Sequence, residues 1–355
     1  MYKSLQAGRA IAAILVVLYH LGGNIAKEKY FGIKMFSVPF SFGGSGVEFF
    51  FVLSGFIILA AHRDDIFKPH KFLNYLKKRF IRIYPSYWII FLSVFFLALM
   101  SETTRYSVPH EIQLIIKSLL LVPQNKLVVG GTGSPVLGVA WTLQYEMFFY
   151  FFFAFLILSK WLSVIFFTVL LFIYINYAGA LSPAFPYSFL SQDYILLFAM
   201  GMIVYLISKS KRVVVVRPAY YSITGLIMFL FIAMDSVLSI NYFMEWTIIL
   251  YGFASSLIIF GLIKAEDNGQ AFGAGSWMQM LGNSSYVLYL IHVPIISVLC
   301  KLSVSLHLND IGVLGAIISY FYIFIACLIS SIVFHVWIEK PIVLFLRNLY
   351  LSSAK

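Results

Sequence analysis

The sequence predicts an all-α fold: a polytopic membrane helix bundle with about ten transmembrane helices. Hydrophobic residues make up 61% of the 355 residues and charged residues only 11%, and the mean hydropathy is +0.93. A typical soluble domain carries about 25% charged residues. Because so few charges could not cover the surface of a soluble protein of this length, the composition excludes an ordinary soluble fold.

Ten segments are long enough to cross a hydrocarbon core about 30 Å thick, which requires roughly 20 apolar residues in a helix. The first follows a short basic stretch, but its apolar run continues through Leu21 without a small-residue cleavage site, so we expect an uncleaved span. We expect a single integral-membrane domain over residues 1–355 with no appended soluble domain. The spans lie near residues 9–26, 43–61, 83–100, 138–158, 161–178, 192–208, 217–235, 245–263, 280–300 and 311–336.

The distribution of basic residues predicts the orientation. With the N-terminus inside, the inner segments hold 18 of the 25 lysines and arginines and the outer segments hold seven. Because cytoplasmic loops retain positive charge, both termini are expected in the cytoplasm. This asymmetry accounts for the net charge of +11, so no nucleic-acid partner is expected. The two cysteines, Cys300 and Cys327, lie in apolar stretches, which excludes a disulfide framework and a cysteine zinc site.

Titratable side chains inside spans are costly and each calls for an explanation. Four of them, on four different helices, fall in the middle-to-outer half of the membrane: His20, Glu48, Glu146 and His292. His335, near the inner end of the last span, is interpreted as structural. The alternative for the histidines and carboxylates is ordinary packing, with each polar group satisfied by a neighbouring carbonyl or tyrosine.

Arginines near the inner boundary form a second pattern. Arg9 and His20 are 11 residues apart, about three helical turns, so both project from one face of the first helix. The inner loop from Arg63 to Arg82 is the most basic part of the chain. Arg79 and Arg82, at i and i+3, suit bidentate binding of phosphates. The alternative is an anchor on anionic lipid. Proline 85 predicts a kink just beyond this pair.

The long outer loop, about residues 101–137, predicts an interfacial helix near 112–122 and a glycine-rich turn at 130–133.

Five stretches together resemble the membrane acyltransferase 3 family, particularly its exopolysaccharide O-acetyltransferase branch. They occur in the family's order over almost the whole chain, which makes the combination specific although the first alone is weak. The stretches are arginine, ten residues and histidine from Arg9 to His20; GVEFFFVLSGF at 46–56; RFIRIYP at 79–85; WTLQYEMFFY at 141–150; and Ser284-Ser285-Tyr286 to His292.

The resemblance implies a membrane-bound O-acyltransferase of the bacterial plasma (inner) membrane. It would transfer an acyl group, acetyl in this branch with succinyl as an alternative, from cytoplasmic acyl-CoA to a hydroxyl of a cell-surface or lipid-linked polysaccharide. His20 matches the proposed catalytic histidine, and Arg9, Arg79 and Arg82 match functional arginines to which we assign acyl-CoA binding. Candidate acceptor-binding or supporting residues are Trp141, Tyr145, Glu146, Tyr286 and His292. The family commonly has aspartate where this chain has Glu48.

The expected chemistry follows from these assignments. His20 would act as general base toward a sugar hydroxyl, or would itself take and relay the acyl group, and Glu48, if within reach, would orient its ring. The donor is a substrate, and we expect no permanently bound cofactor and no metal. The expected partners are acyl-CoA, a carbohydrate acceptor and membrane lipids, with homo-oligomerisation left open. A transporter or flippase of lipid-linked sugars, or a non-catalytic assembly protein, is the alternative, although the chain lacks the paired broken-helix symmetry of transporters.

Overall fold

A computed structural model describes residues 2–102, 104–180, 183–213 and 215–352, with side chains described up to residue 349. Helices and turns account for the structure in these ranges, with no β-strand among them. The α-helices are α1 (Lys3–Ile25), α2 (Gly46–His62), α3 (Phe72–Met100), α4 (Ile112–Leu119), α5 (Lys126–Val129), α6 (Trp141–Leu158), α7 (Lys160–Tyr177), α8 (Tyr187–Leu190), α9 (Tyr194–Lys209), α10 (Pro218–Val237), α11 (Thr247–Asp267), α12 (Ser276–Ser305), α13 (Gly312–Phe334) and α14 (Lys340–Ser352).

Within the described ranges, ten helical segments are long and apolar enough to cross a membrane, which confirms the predicted multi-pass bundle. Two boundaries differ from the prediction. The third helix begins at Phe72 rather than near residue 83, so Arg79 and Arg82 lie on α3 itself. Pro85 is inside this helix and does not end it. The last span continues beyond α13 through a π-helical turn at His335–Glu339 into α14.

The loop after α3 is held to that helix by aromatic donors. Tyr84 Oη, Tyr87 Oη and Trp88 Nε1 donate hydrogen bonds to the carbonyl oxygens of Leu120, Ser118 and Leu119 at 2.9, 2.7 and 2.9 Å. These carbonyls lie at the C-terminal end of α4, where a helix runs out of intrahelical donors, and that of Ser118 also accepts from the Leu121 N–H at 3.1 Å. A helix is present where one was predicted near residues 112–122, as α4 (Ile112–Leu119); its position at the membrane interface stays a prediction. The predicted glycine turn is also confirmed, with positive φ at Gly130, Gly131 and Gly133.

The chain divides into two compact units, Met1–Ile57 with Leu196–His335, and Ile58–Ile195 with Val336–Lys355. In the first unit, α1, α12 and α13 share one apolar core. Each of the three helices contributes buried side chains that lie one or two turns apart along that helix. They include Val17, Leu21, Leu288, Ile296, Ala316 and Ile323.

Glycines set how closely α2 and α12 approach α1 in the first unit. A Cβ added at Gly43 would lie 2.4 Å from the Leu15 carbonyl oxygen, and one at Gly46 would lie 2.4 Å from the Ala12 oxygen. A Cβ at Gly282 of α12 would lie 2.2 Å from the Gln6 oxygen. Such backbone contact is typical of small residues between membrane helices. It fixes α2 antiparallel to α1, with the start of α2 beside Ala12.

A carboxylate from α11 caps the first helix. The backbone N–H groups of Lys3 and Ser4 donate to Glu266 Oε1 and Oε2 at 2.8 and 2.7 Å. Tyr2 Oη donates to Asp267 Oδ1 at 2.7 Å. The N-terminal N–H groups of a helix lack intrahelical acceptors, and a negative charge there also interacts favourably with the helix dipole. Glu266 thus anchors the helix that carries Arg9 and His20.

Candidate active site

The structure pairs His20 of α1 with His292 of α12. His20 Nδ1 lies 2.9 Å from the Val16 carbonyl oxygen and 3.3 Å from His292 Nε2, and the two rings meet edge to face at 5.0 Å between centroids. His292 is fully buried, whereas His20 is partly exposed. Two residues 272 positions apart in sequence therefore form one imidazole pair in the membrane-spanning part of the first unit.

The hydrogen-bond partners determine where the protons lie. His292 Nδ1 is 3.0 Å from the Leu288 carbonyl oxygen. A carbonyl can only accept, so Nδ1 of each ring carries the proton, and Nε2 of His292 is an acceptor. The Nδ1–H of His20 is shared between Val16 O and His292 Nε2. His20 Nε2 is consequently the unprotonated nitrogen of a partly exposed ring, which is the state that a general base requires.

Glu48 is not the orienting partner of His20. Within the described part of the chain no hydrogen bond joins the two side chains, and Glu48 Oε2 is buried without a hydrogen-bond partner. The contacts of Gly43 and Gly46 with α1 place the first turn of α2 near residues 10–12. At 1.5 Å per residue, Glu48 therefore lies about 12–15 Å from His20 along the axis of α1. The two were expected at similar depth, but the turn Ser41–Ser45 runs alongside α1, so α2 starts deeper.

Arg9 is held by a short polar relay at the N-terminal end of α1. Its Nη1 donates to Gln6 Oε1 at 3.2 Å, and Gln6 Nε2 donates to Asn283 Oδ1 of α12 at 2.6 Å. The guanidinium is only partly exposed. Because one hydrogen bond fixes one edge of a planar guanidinium, the other donors of Arg9 keep a defined direction.

Arg79 and Arg82 belong to the second unit and both have acidic or aromatic surroundings. Arg79 Nη2 donates to His62 Nε2 at 2.8 Å. Arg82 Nη1 lies 3.8 Å from the buried carboxylate of Glu339, while its own side chain is 41% exposed. The predicted arginine pair is thus on one helix, as the i, i+3 spacing requires, but each guanidinium already has a protein partner.

The other predicted residues lie in both units. Tyr286 and His292 are on α12 in the first unit. Trp141, Tyr145 and Glu146 are on α6 in the second, where Tyr145 stacks on Phe189 at 4.1 Å between centroids and donates to the Phe189 carbonyl. Glu146 Oε1 accepts a hydrogen bond from Tyr150 Oη at 2.5 Å. Tyr145 is consequently engaged in packing of its own unit.

An apolar cavity of about 270 Å³ lies in the first unit between α1, α2, α10 and α11. Its walls include Gly8, Leu15, Phe49, Phe229 and Leu262. Such a lining suits a hydrocarbon chain rather than the amide-rich pantetheine arm of CoA.

Sequence reasoning missed Gln6, Asn283, His62 and Asp65. Each is an ordinary polar residue, and three of them lie in or just beyond the terminal turn of a helix, where polar residues are common; Asn283 lies about two turns inside α12. The local signals are two i, i+3 spacings, His62 with Asp65 and Gln6 with Arg9, which place each pair of side chains on neighbouring positions of one turn. For Asn283 no local signal exists, because its contact with Gln6 depends on the packing of α12 against α1.

The fold is that of a multi-pass helical protein. Its membrane-spanning part holds a pair of imidazoles that can accept a proton, and its guanidinium groups are held in place. These features define the class of membrane-embedded enzymes or ion-coupled transporters. The family comparison decides between them. A family model described as an acyltransferase domain matches residues 2–336, so the chain belongs to the acyltransferase 3 family and is an acyltransferase.

One curated relative is similar over most of its length. The chain is 28% identical over 312 residues to the exopolysaccharide production protein ExoZ of Rhizobium meliloti (strain 1021), covering 85% of this chain and 90% of that protein. No solved structure matches the chain.

Proposed function

We propose that this protein transfers an acyl group, most simply acetyl, from acyl-CoA to a hydroxyl of an exopolysaccharide or its lipid-linked precursor. The observation that carries the proposal is the His20–His292 pair, in which His20 Nε2 is left as the basic nitrogen of a partly exposed ring. The similarity to an exopolysaccharide production protein supports the choice of acceptor. Family membership supports the reaction class.

The steps of the proposed reaction balance without a cofactor. The acceptor hydroxyl oxygen attacks the thioester carbonyl carbon as His20 Nε2 takes the hydroxyl proton, so a C–O bond forms while the imidazole becomes an imidazolium. The tetrahedral intermediate collapses, the C–S bond breaks, and the imidazolium returns the proton to the CoA sulfur. The products are the ester and CoA-SH. A two-step variant, in which His20 takes the acyl group before the hydroxyl attacks, uses the same nitrogen.

His292 would stabilise the charged state of His20. When His20 is an imidazolium, its Nδ1–H becomes a stronger donor, and neutral His292 Nε2 and Val16 O are the acceptors already in place. This is the role that a carboxylate performs in hydrolytic triads. A neutral acceptor raises basicity less than a carboxylate would, but it avoids a second charge in the membrane.

The remaining assignments concern binding. Arg9, Arg79 and Arg82 would bind donor phosphates, since guanidinium groups pair with phosphate in bidentate fashion. Trp141, Tyr145, Glu146 and Tyr286 would line or support the acceptor site. We place the protein in the bacterial inner membrane with both termini in the cytoplasm, where the donor is made.

The test is direct acyl transfer by the purified protein in lipid nanodiscs. Radiolabelled acetyl-CoA and the polysaccharide of the host strain are the substrates, and ester formation on carbohydrate is the readout. His20→Ala is expected to abolish transfer, while His110→Ala, in the exposed outer loop, should retain it. Transfer that persists in His20→Ala at the rate of the unmodified protein would contradict the proposal. Failure of the unmodified protein to label any carbohydrate acceptor would overturn the proposed pairing of donor and acceptor.

A further inference from the structure

The guanidinium of Arg79 lies in a buried setting within the second unit that the proposed reaction does not by itself explain. One of its nitrogens donates to His62, and its carbon lies 5.3 and 5.8 Å from the ring centroids of Tyr150 and Tyr75. Such distances are those of cation–π contacts. We call this group of side chains the Arg79 cradle; it consists of His62, Asp65, Tyr75, Glu146 and Tyr150.

The cradle fixes the protonation of His62. Arg79 can only donate, so His62 Nε2 must be an acceptor without a proton. His62 Nδ1 therefore carries the ring proton and donates it to Asp65 Oδ2 at 2.8 Å. His62 is 2% exposed and the Asp65 side chain is 23% exposed, so the neutral ring connects the orientation of a mostly buried carboxylate to that of a partly buried guanidinium.

The tyrosines of the cradle are themselves fixed. Tyr75 Oη donates to the Tyr150 carbonyl oxygen at 3.0 Å, and Tyr150 Oη donates to Glu146 Oε1. His62 also meets Tyr75 edge to face, with ring centroids 4.9 Å apart. The hydrogen bond to His62 and the two tyrosine rings thereby constrain the guanidinium before any ligand binds.

Arg79 has donor capacity that the protein does not use. Its Nε is buried and has no hydrogen-bond partner within the described part of the chain. A buried unpaired N–H costs free energy, and a planar guanidinium held in one orientation loses little further entropy when it binds a phosphate. Because Arg79 as a whole is partly exposed, an anion would meet its accessible N–H groups rather than the buried Nε.

We propose that His62 and Asp65 are positioning residues that hold Arg79 in the orientation required to bind a phosphate of the acyl donor. The inference rests on the proposed function, in which Arg79 contacts the donor. Neither His62 nor Asp65 touches the donor; each acts through the guanidinium.

The experiment measures KM for acetyl-CoA, kcat, and CoA binding to the detergent-purified protein by titration calorimetry. His62→Leu removes the acceptor for Arg79, and we expect KM and the CoA dissociation constant to rise about tenfold with kcat changed less than twofold. His62→Gln keeps an acceptor oxygen close to the Nε2 position and should remain within about threefold of the unmodified protein. Asp65→Asn should give an intermediate rise.

Matched controls use neighbouring exposed residues of the same type. Asp64→Asn removes the same charge one residue earlier, and His70→Leu removes an exposed imidazole in the same basic segment. Both are expected to leave KM unchanged. If His62→Leu does not fold, the comparison of Asp65→Asn and His62→Gln with Asp64→Asn still decides the question.

The outcomes separate this inference from the proposed function. If Arg79→Ala raises KM for acetyl-CoA but His62→Leu and Asp65→Asn do not, the positioning role is wrong and the donor role of Arg79 stands. If Arg79→Ala leaves both KM and CoA binding unchanged, the donor assignment of Arg79 fails and the inference fails with it. A loss of kcat and thermal stability in Asp65→Asn with unchanged KM would show a merely structural role and would also overturn the inference.

Discussion

The imidazole pair makes a prediction about coupling between His20 and His292. General base catalysis contributes about 10²–10⁴-fold to rate, so His20→Ala is expected to lower kcat by at least about a hundredfold. His292→Leu leaves that base in place and removes one of the two acceptors of its Nδ1–H. The Val16 carbonyl, at 2.9 Å, is the closer acceptor and remains. The loss should therefore be that of one hydrogen bond to a group that becomes charged, about 1–2 kcal/mol or roughly 5–30-fold.

The assay is a double-mutant cycle on kcat in nanodiscs, with thermal melting to verify that each variant is folded. Since His292 acts only through His20, the double variant should be no slower than His20→Ala alone. His292→Gln, whose amide oxygen can still accept from the His20 ring, serves as the matched control and should retain most of the rate. Additive losses in the double variant would refute the reasoning, as would a folded His292→Leu protein as inactive as His20→Ala, because the loss of one hydrogen bond cannot account for so large an effect.

Two further predictions concern the scaffold that brings these residues together. Glu266→Ala removes the acceptor for two backbone N–H groups of α1 and is expected to cost about 1 kcal/mol of stability, measured as a lowered melting temperature in detergent. The control, Glu245→Ala, removes an exposed carboxylate and should not lower the melting temperature. Equal effects of the two substitutions would show that the cap is unimportant. Gly282→Ala places a Cβ 2.2 Å from the Gln6 carbonyl oxygen and should destabilise by about 1–3 kcal/mol through overpacking. Gly23→Ala is the control, because a Cβ added at Gly23 of α1 would meet open space, and it should be neutral or slightly stabilising. A Gly282→Ala protein as stable as this control would contradict the close helix contact.

The helices could be predicted from the sequence more completely than the site could, and the reason is physical. A membrane helix must satisfy its own backbone hydrogen bonds, so its presence is encoded in about 20 consecutive residues and could be predicted from composition and length. The boundaries were less predictable: α3 extends back to Phe72 because Lys and Arg are good helix formers whose stems pack along the helix. A hydropathy profile excludes such residues although the helix includes them.

The residues of the site were predictable as types but not as pairs. His20 and Arg9 could be chosen because intramembrane polar residues are costly and both lie on one face of α1. The partner of His20 was predicted as Glu48, and the structure places His292 there instead. That choice depends on where α2 begins relative to α1, which Gly43 and Gly46 determine by backbone contact. The sequence contains those glycines, but not the depth at which they meet the neighbouring helix.

The sequence by itself determined that this protein is a multi-pass helical membrane protein of an acyltransferase family, because span length, charge distribution and motif order are local properties of the chain. Only the tertiary structure decided which polar groups meet: His20 with His292, Arg9 with Gln6 and Asn283, and Arg79 with His62. Apart from the contact of Arg9 with Gln6, which lies within α1, these contacts join different helices, and the separation of those helices in sequence carries no information about their relative depth. Side-chain packing between helices sets that depth, and with it the protonation state on which the proposed chemistry depends.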